Sequence, residues 1–100
     1  MKYVEMREAL TDKKQIKKSC SRPVQSKFEY FVNDILENPR KKDTVGNPEQ
    51  LKHTKKEVWS RELTKKDRIV YGIESGANYD MPEEFEIIVF YQYLGHYKDK

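Results

Sequence analysis

In the stretch NPEQLKHTKKEVWSREL, Asn47 to Leu63, a glutamate (Glu49), a lysine (Lys52) and a histidine (His53) fall close together in a turn-like segment. Further on, DRIVYGI carries Arg68, and the closing LGHY carries His96 and Tyr97. A carboxylate that takes a proton, a cation that steadies charge at phosphorus and an imidazole that returns a proton can together cut RNA. The ribose 2′-hydroxyl is the nucleophile, and no metal is required. Arginine suits the second role because its guanidinium meets phosphate with two parallel hydrogen bonds. Single residues of these types occur in most domains, so the set alone is a weak signal. The ordinary alternative is a solvated Glu49, an Arg68 in a surface ion pair and a His96 at a frayed end.

Periodicity indicates which elements must position these residues. MKYVEM reads as a short first strand, with Tyr3 and Val4 as its apolar content. Residues 7–18 read as a helix with a thin apolar stripe of Ala9, Leu10 and Ile16. A second helix is clearer, since Val24, Phe28, Phe31, Val32, Ile35 and Leu36 recur at helical spacing. Ser21 can cap its first turn, Pro23 is tolerated there, and Asn38 before Pro39 ends it. The polar stretch from Arg40 to about Lys56 then reads as one long connection, of a length that is often functional.

Beyond it the period becomes two. Trp59, Arg61 and Leu63 alternate with Ser60, Glu62 and Thr64, and Ile69, Tyr71 and Ile73 alternate with Arg68, Val70 and Gly72. TKKD is short enough for a hairpin, and FEIIVFYQYLGHY is a β-branched and aromatic strand. The expectation is an α+β domain of order β-α-α-β-β-β, with a mostly antiparallel four-stranded sheet and both helices on one face. If Ile69, Tyr71 and Ile73 face the helices, Arg68 lies on the open face, and a last strand paired in sequence order brings His96 to the same edge. Trp59 is assigned to the core.

Composition narrows the classes. The 100 residues predict a single domain over 1–100, with 36% hydrophobic residues to build its core. The formal net charge is only +3, but basic residues cluster in KKQIKK, RKK, KHTKK and TKKDR, which suits a polyanion or, more blandly, a solvated face. Cys20 is alone, so no intramolecular disulfide can form, and His53, His96 and Cys20 lack zinc-ligand spacing. No metal or cofactor is called for. No apolar run approaches the ~20 residues that span a bilayer, and MKYVEMREAL lacks the core of a signal peptide. The sequence reads as soluble and cytoplasmic, with no membrane partner.

PEQLKH, WSREL, DRIVY and GHY occur in an order and at gaps that resemble the YoeB/Txe toxins of the RelE/ParE superfamily. The likeness is specific from Gly46 to Tyr71 and again from Gly95 to Tyr97. The first forty-five residues share only the helix-helix plan. The resemblance implies a RelE-like fold and a bacterial toxin that cuts messenger RNA in the ribosomal A site. It implies Glu49 as general base, Arg68 as transition-state cation, His96 as general acid and Tyr97 as a residue that positions or stacks on RNA. Lys52 would lie near the reacting phosphate and His53 would order the loop, with Lys55, Lys56 and Arg61 as further RNA contacts. The implied partners are the ribosome and its messenger RNA, and a YefM/Phd-type antitoxin. Operator DNA would be reached only through the antitoxin complex, and the resemblance allows for a homodimer.

The chain departs from the pattern at WSRE, where many relatives read WSRR. Glu62 stands where a second arginine would hold phosphate, unless Arg61 or a lysine compensates. The 75–84 turn is longer and more acidic than the family implies, and KDK extends past the usual terminal tyrosine. Two other readings therefore stay open: a catalytically impaired RNA- or DNA-binding member of the same fold, and an interaction domain with only a protein partner.

Overall fold

In a computed structural model, which describes residues 2–52 and 54–95, the elements follow the expected order with one added strand and a 3₁₀ turn. They are β1 (Tyr3–Glu5), α1 (Arg7–Ser19), α2 (Arg22–Glu37), β2 (Glu49–Gln50), β3 (Glu57–Glu62), β4 (Arg68–Ser75), a 3₁₀ turn (Gly76–Tyr79) and β5 (Glu86–Gly95). The sheet has five strands in the order β1-β5-β4-β3-β2, rather than four. The added strand is Glu49–Gln50, expected to be loop, which pairs antiparallel with β3 as Glu49 opposite Ser60 and Gln50 opposite Trp59. Two exposed polar residues carry no periodic signal, so only the pairing reveals them. β3, β4 and β5 form the expected antiparallel meander, while β1 lies parallel to β5.

Both helices cover one face. Phe28, Phe31 and Ile35 of α2 and Ala9 and Ile16 of α1 form one buried cluster with Trp59, Leu63, Ile69, Tyr71, Ile73, Phe90 and Tyr93. Each large side chain so buried stabilises the fold by roughly 1.5–3 kcal/mol. Ser21 occupies the N-cap of α2, but its hydroxyl makes no capping bond, and Pro23 in the first turn carries the start signal. Asn38 leaves the helical region at φ −150°, as a residue before proline should.

The long connection is tied down along its length. The Tyr71 hydroxyl donates to the Pro39 carbonyl at 2.6 Å, inside the core. Arg40 donates to both carboxylate oxygens of Glu57 and of Glu86, joining β3 to β5 at that end of the sheet. The Thr44 hydroxyl reaches Asp34 of α2 at 3.4 Å, and the Glu62 amide donates to the Gly46 carbonyl at 2.7 Å. A segment without regular structure is thus held closely enough to present Glu49 in a fixed register.

Candidate functional site

Strand parity decides what each side chain can do. On β3, Trp59 and Arg61 point under the helices, as does Leu63 just past its end, and Ser60 and Glu62 alternate with them toward the other face. On β4, Ile69, Tyr71 and Ile73 are in the helix-side cluster, so Arg68 belongs to the opposite face, as expected. Glu62 and Arg68 stand directly opposite each other in the β3–β4 ladder.

Arg68 is held on three sides. Its Nε donates to Ser60 Oγ at 2.9 Å, one terminal nitrogen donates to the Asn47 carbonyl at 3.3 Å, and that nitrogen lies 3.7 Å from a Glu49 carboxylate oxygen. Among the described residues its other terminal nitrogen has no partner, which leaves two N–H groups to offer an anion. Two residues placed on separate elements from sequence, Glu49 and Arg68, are therefore neighbours. Glu49 is 47% exposed and Arg68 only 18%, so the carboxylate stays reachable while the cation is fixed.

Beside Glu49 lies a shallow cavity of about 520 Å³, lined by Lys42, Lys52 and Lys56 with Pro48, Leu51 and Thr54. Lys52, Lys55 and Lys56 are exposed, as an RNA contact requires. A larger cavity of about 780 Å³ is lined by Glu8, Asp12 and Asp67 with Gln15 and Gln92, and its carboxylates make it a poor seat for a polyanion. His53, His96 and Tyr97 lie outside the described residues. Gly95, which precedes His96 in the chain, pairs with Arg68.

Arg61 is the correction. Expected to touch RNA or to offset Glu62, it is fully buried on the helix side, donating to Asp34 at 2.8 Å with its guanidinium 5.2 Å from the Phe31 ring centre. The alternation that places Trp59 and Leu63 in the core places Arg61 between them. It cannot compensate Glu62, because the sheet separates them.

Sequence reasoning missed Ser60 and the Asn47 carbonyl, which aim Arg68, and Lys42, which joins the lysine-lined cavity. Ser60 could have been found, since it shares the strand parity of Glu62. A second polar cluster lies further along the sheet, where Glu74 accepts from Tyr91, Asn78 and Tyr79. Burial alone would raise the Glu74 carboxyl, but the bonds from Tyr91 and Asn78 and the nearby Lys56 leave it below its ordinary value. Burial and the same carboxylate push the Tyr91 hydroxyl up. Among the described residues no cluster of three or more His, Cys, Asp or Glu side chains could hold a metal ion, and no helix is long and apolar enough to cross a membrane.

A family model described as the YoeB-like toxin of bacterial type II toxin-antitoxin systems matches residues 6–92. No curated protein sequence matches the chain. Among solved structures, a YoeB/ParE toxin from Agrobacterium tumefaciens superposes with a TM-score of 0.74 at 23% identity, covering 97% of this chain and 100% of that one. A YoeB dimer from Staphylococcus aureus gives 0.71 at 20% identity, with 97% and 98% covered. A chain of a heterotetrameric YoeB-YefM toxin-antitoxin complex from the same organism gives 0.70 at 20% identity, again with 97% and 98% covered. At these identities the structural likeness speaks for the fold.

Proposed function

The chain belongs to the YoeB-like toxin family of bacterial type II toxin-antitoxin systems, and we propose from that premise that it is a ribosome-dependent endoribonuclease that cuts messenger RNA in the decoding site. The observation that carries this reading is the Glu49–Arg68 approach of 3.7 Å on the open sheet face, with one terminal nitrogen of the guanidinium unpaired among the described residues. The Glu49 carboxylate takes the proton from a ribose 2′-hydroxyl as its oxygen attacks the adjacent phosphorus. Arg68 stabilises the charge that builds on the phosphorane oxygens. The P–O5′ bond breaks, and the leaving oxygen receives a proton from His96, whose chain neighbour Gly95 is paired with Arg68. The products are a 2′,3′-cyclic phosphate and a 5′-hydroxyl.

Lys52, Lys55 and Lys56 guide the RNA backbone along the lysine-lined cavity, with Tyr97 and His53 in the positioning roles that the family motif gives them. On free RNA the reaction is slow, because the flexible substrate must be brought in line for attack, and the ribosome supplies that orientation. The other partner is a YefM-type antitoxin, by analogy with the Staphylococcus aureus complex, and operator DNA is reached through it. A homodimer follows by the same analogy with the dimeric relative. The site of action is the bacterial cytoplasm.

One observation favours a second reading, an RNA-binding member with impaired catalysis. Glu62 faces Arg68 across the ladder with no help from the buried Arg61, so a carboxylate stands where phosphate must come.

Induced expression of the wild type beside Glu49→Gln and His96→Gln, with messenger RNA 5′ ends mapped, tests the proposal. Growth arrest with new 5′ ends phased to the reading frame, absent in both variants, is expected. Cleavage of naked RNA at the rate seen with ribosomes, or loss of cleavage on chelation that leaves ribosomes intact, would overturn it.

A further inference from the structure

Arg61 is a charged side chain with no access to solvent and incomplete pairing. One terminal nitrogen meets Asp34, while its Nε and the other terminal nitrogen are buried without a hydrogen-bond partner among the described residues. Donors left unsatisfied in a core are uncommon and call for an explanation. A guanidinium is also an odd filler between Trp59 and Leu63, where an aliphatic residue would pack without desolvation.

The segment packed over Arg61 gives the buried side chain a role. Gly46 packs so closely on this platform that a β-carbon there would fall 2.6 Å from Arg61 Cγ and 2.8 Å from the Phe31 ring. Gly46 has φ +90° and Asn47 φ +54°, two successive left-handed residues that reverse the chain sharply. Before the reversal the backbone lies against Arg61 and Phe31 on the helix side of β3. After it, the Asn47 carbonyl accepts from Arg68, and Glu49 pairs with Ser60. Asp34 joins both parts, because it accepts from Arg61 at 2.8 Å and from Thr44 at 3.4 Å.

We propose that Arg61 is a positioning residue: from the buried side of the sheet, with Asp34 and Phe31, it seats the Gly46–Asn47 reversal, and the reversal sets Glu49 and the Asn47 carbonyl against Arg68. The proposal rests on the ribonuclease reading for its catalytic consequence. The planar guanidinium does two things at once that lysine cannot: it binds Asp34 through one terminal nitrogen and sets its delocalised charge over the Phe31 ring, 5.2 Å from the ring centre, with Gly46 packed on both. Arg61 touches no substrate, and its effect reaches the chemistry only through the segment it holds.

The test compares the wild type with Arg61→Lys and, from the other side of the contact, Gly46→Ala. Amide exchange is followed at Glu62, whose N–H bonds the Gly46 carbonyl, against Met6, whose N–H bonds Phe90 at the far edge of the sheet. Ribosome-programmed cleavage is resolved into kcat and KM. The expected result is lost protection at Glu62 with Met6 unchanged. It comes with a fall in kcat of about tenfold to a hundredfold, the scale of an ångström-level misplacement, at nearly constant KM. Protection kept at Glu62 in both variants, or protection lost with kcat unchanged, would overturn the proposal, as would a fall in melting temperature with kcat intact. A wild type that cuts nothing would instead sink the ribonuclease reading. The exchange comparison would then decide by itself whether Arg61 seats the loop.

Discussion

Arg61 and Arg68 sit one register step apart on paired strands, and they have opposite fates. Arg61 lies opposite Ile69, and its neighbour Glu62 lies opposite Arg68, so the ladder brings the two arginines close while parity sends them to different faces. One is sealed beneath the helices against Asp34; the other, among the described residues, keeps unpaired donors on the open face beside Glu49. Residue type therefore does not make a functional cation. The face of the sheet does, since a guanidinium meets a substrate only where solvent can.

The largest effect should come from emptying the buried position. Arg61→Ala leaves the Asp34 carboxylate at 11% exposure without its cation, and losing one partner of a buried pair costs about 3–5 kcal/mol. At roughly 4–8 °C per kcal/mol for a chain of this size, the melting temperature should fall by well over 10 °C. A loss under about 1 kcal/mol would mean that Asp34 finds water instead, and the contrast between the two arginines would collapse.

The converse holds on the open face. Arg68→Ala should reduce ribosome-dependent cleavage by about 10²–10³-fold, the usual result of removing one preorganised charge-stabilising donor. The fold should lose about 1 kcal/mol or less, because the pair with Glu49 is half solvated. An Arg68→Ala protein that melts as Arg61→Ala does would show that Arg68 is a structural residue like its neighbour.

Glu62 sharpens the comparison from the substrate side. Glu62→Arg places a second cation opposite Arg68, where the ordinary ion-pair scale of about 1 kcal/mol corresponds to roughly a fivefold gain in cleavage or RNA affinity. The gain should shrink in high salt, because exposed charges are screened. No change at low salt would indicate that the RNA path avoids β3.

The same contrast marks the limit of what the sequence discloses. Phe28, Phe31 and Ile35 repeat at helical spacing, and Trp59, Leu63, Ile69, Tyr71 and Ile73 at a spacing of two. The helices, the meander and the layer between them were legible for that reason. Parity also placed Arg68 correctly and, applied evenly, would have placed Arg61 in the core; counting basic residues obscured it. Glu49–Gln50 could not be read as a strand, because two polar residues have no period, and its existence depends on a loop folded around β3. Nor could the approach of Glu49 to Arg68 be read, since it is set by Gly46 packing on Phe31, a contact between residues fifteen positions apart on separate elements.

A third arginine supplies the smallest and last test. Arg40 is 44% exposed and bonds Glu57 and Glu86 at the end of the sheet away from Arg68. The guanidinium holds both carboxyl groups below their ordinary range, chiefly through its hydrogen bonds. A carboxyl whose folded value is depressed contributes stability above its unfolded value, about 4.3 for glutamate, and loses it as the pH falls through the folded value. Wild type should therefore shed this increment only below about pH 4, and Arg40→Gln should lack it at neutral pH and show a flatter acid limb. With Glu86 47% exposed, solvent screening keeps the whole contribution to about 1 kcal/mol or less. Paired melts at pH 7 and pH 3 would measure it. An Arg40→Gln loss at pH 7 as large as that of Arg61→Ala would show that exposure does not rank these arginines, and that the strap on the long connection matters as much to the fold as the pair buried beneath it.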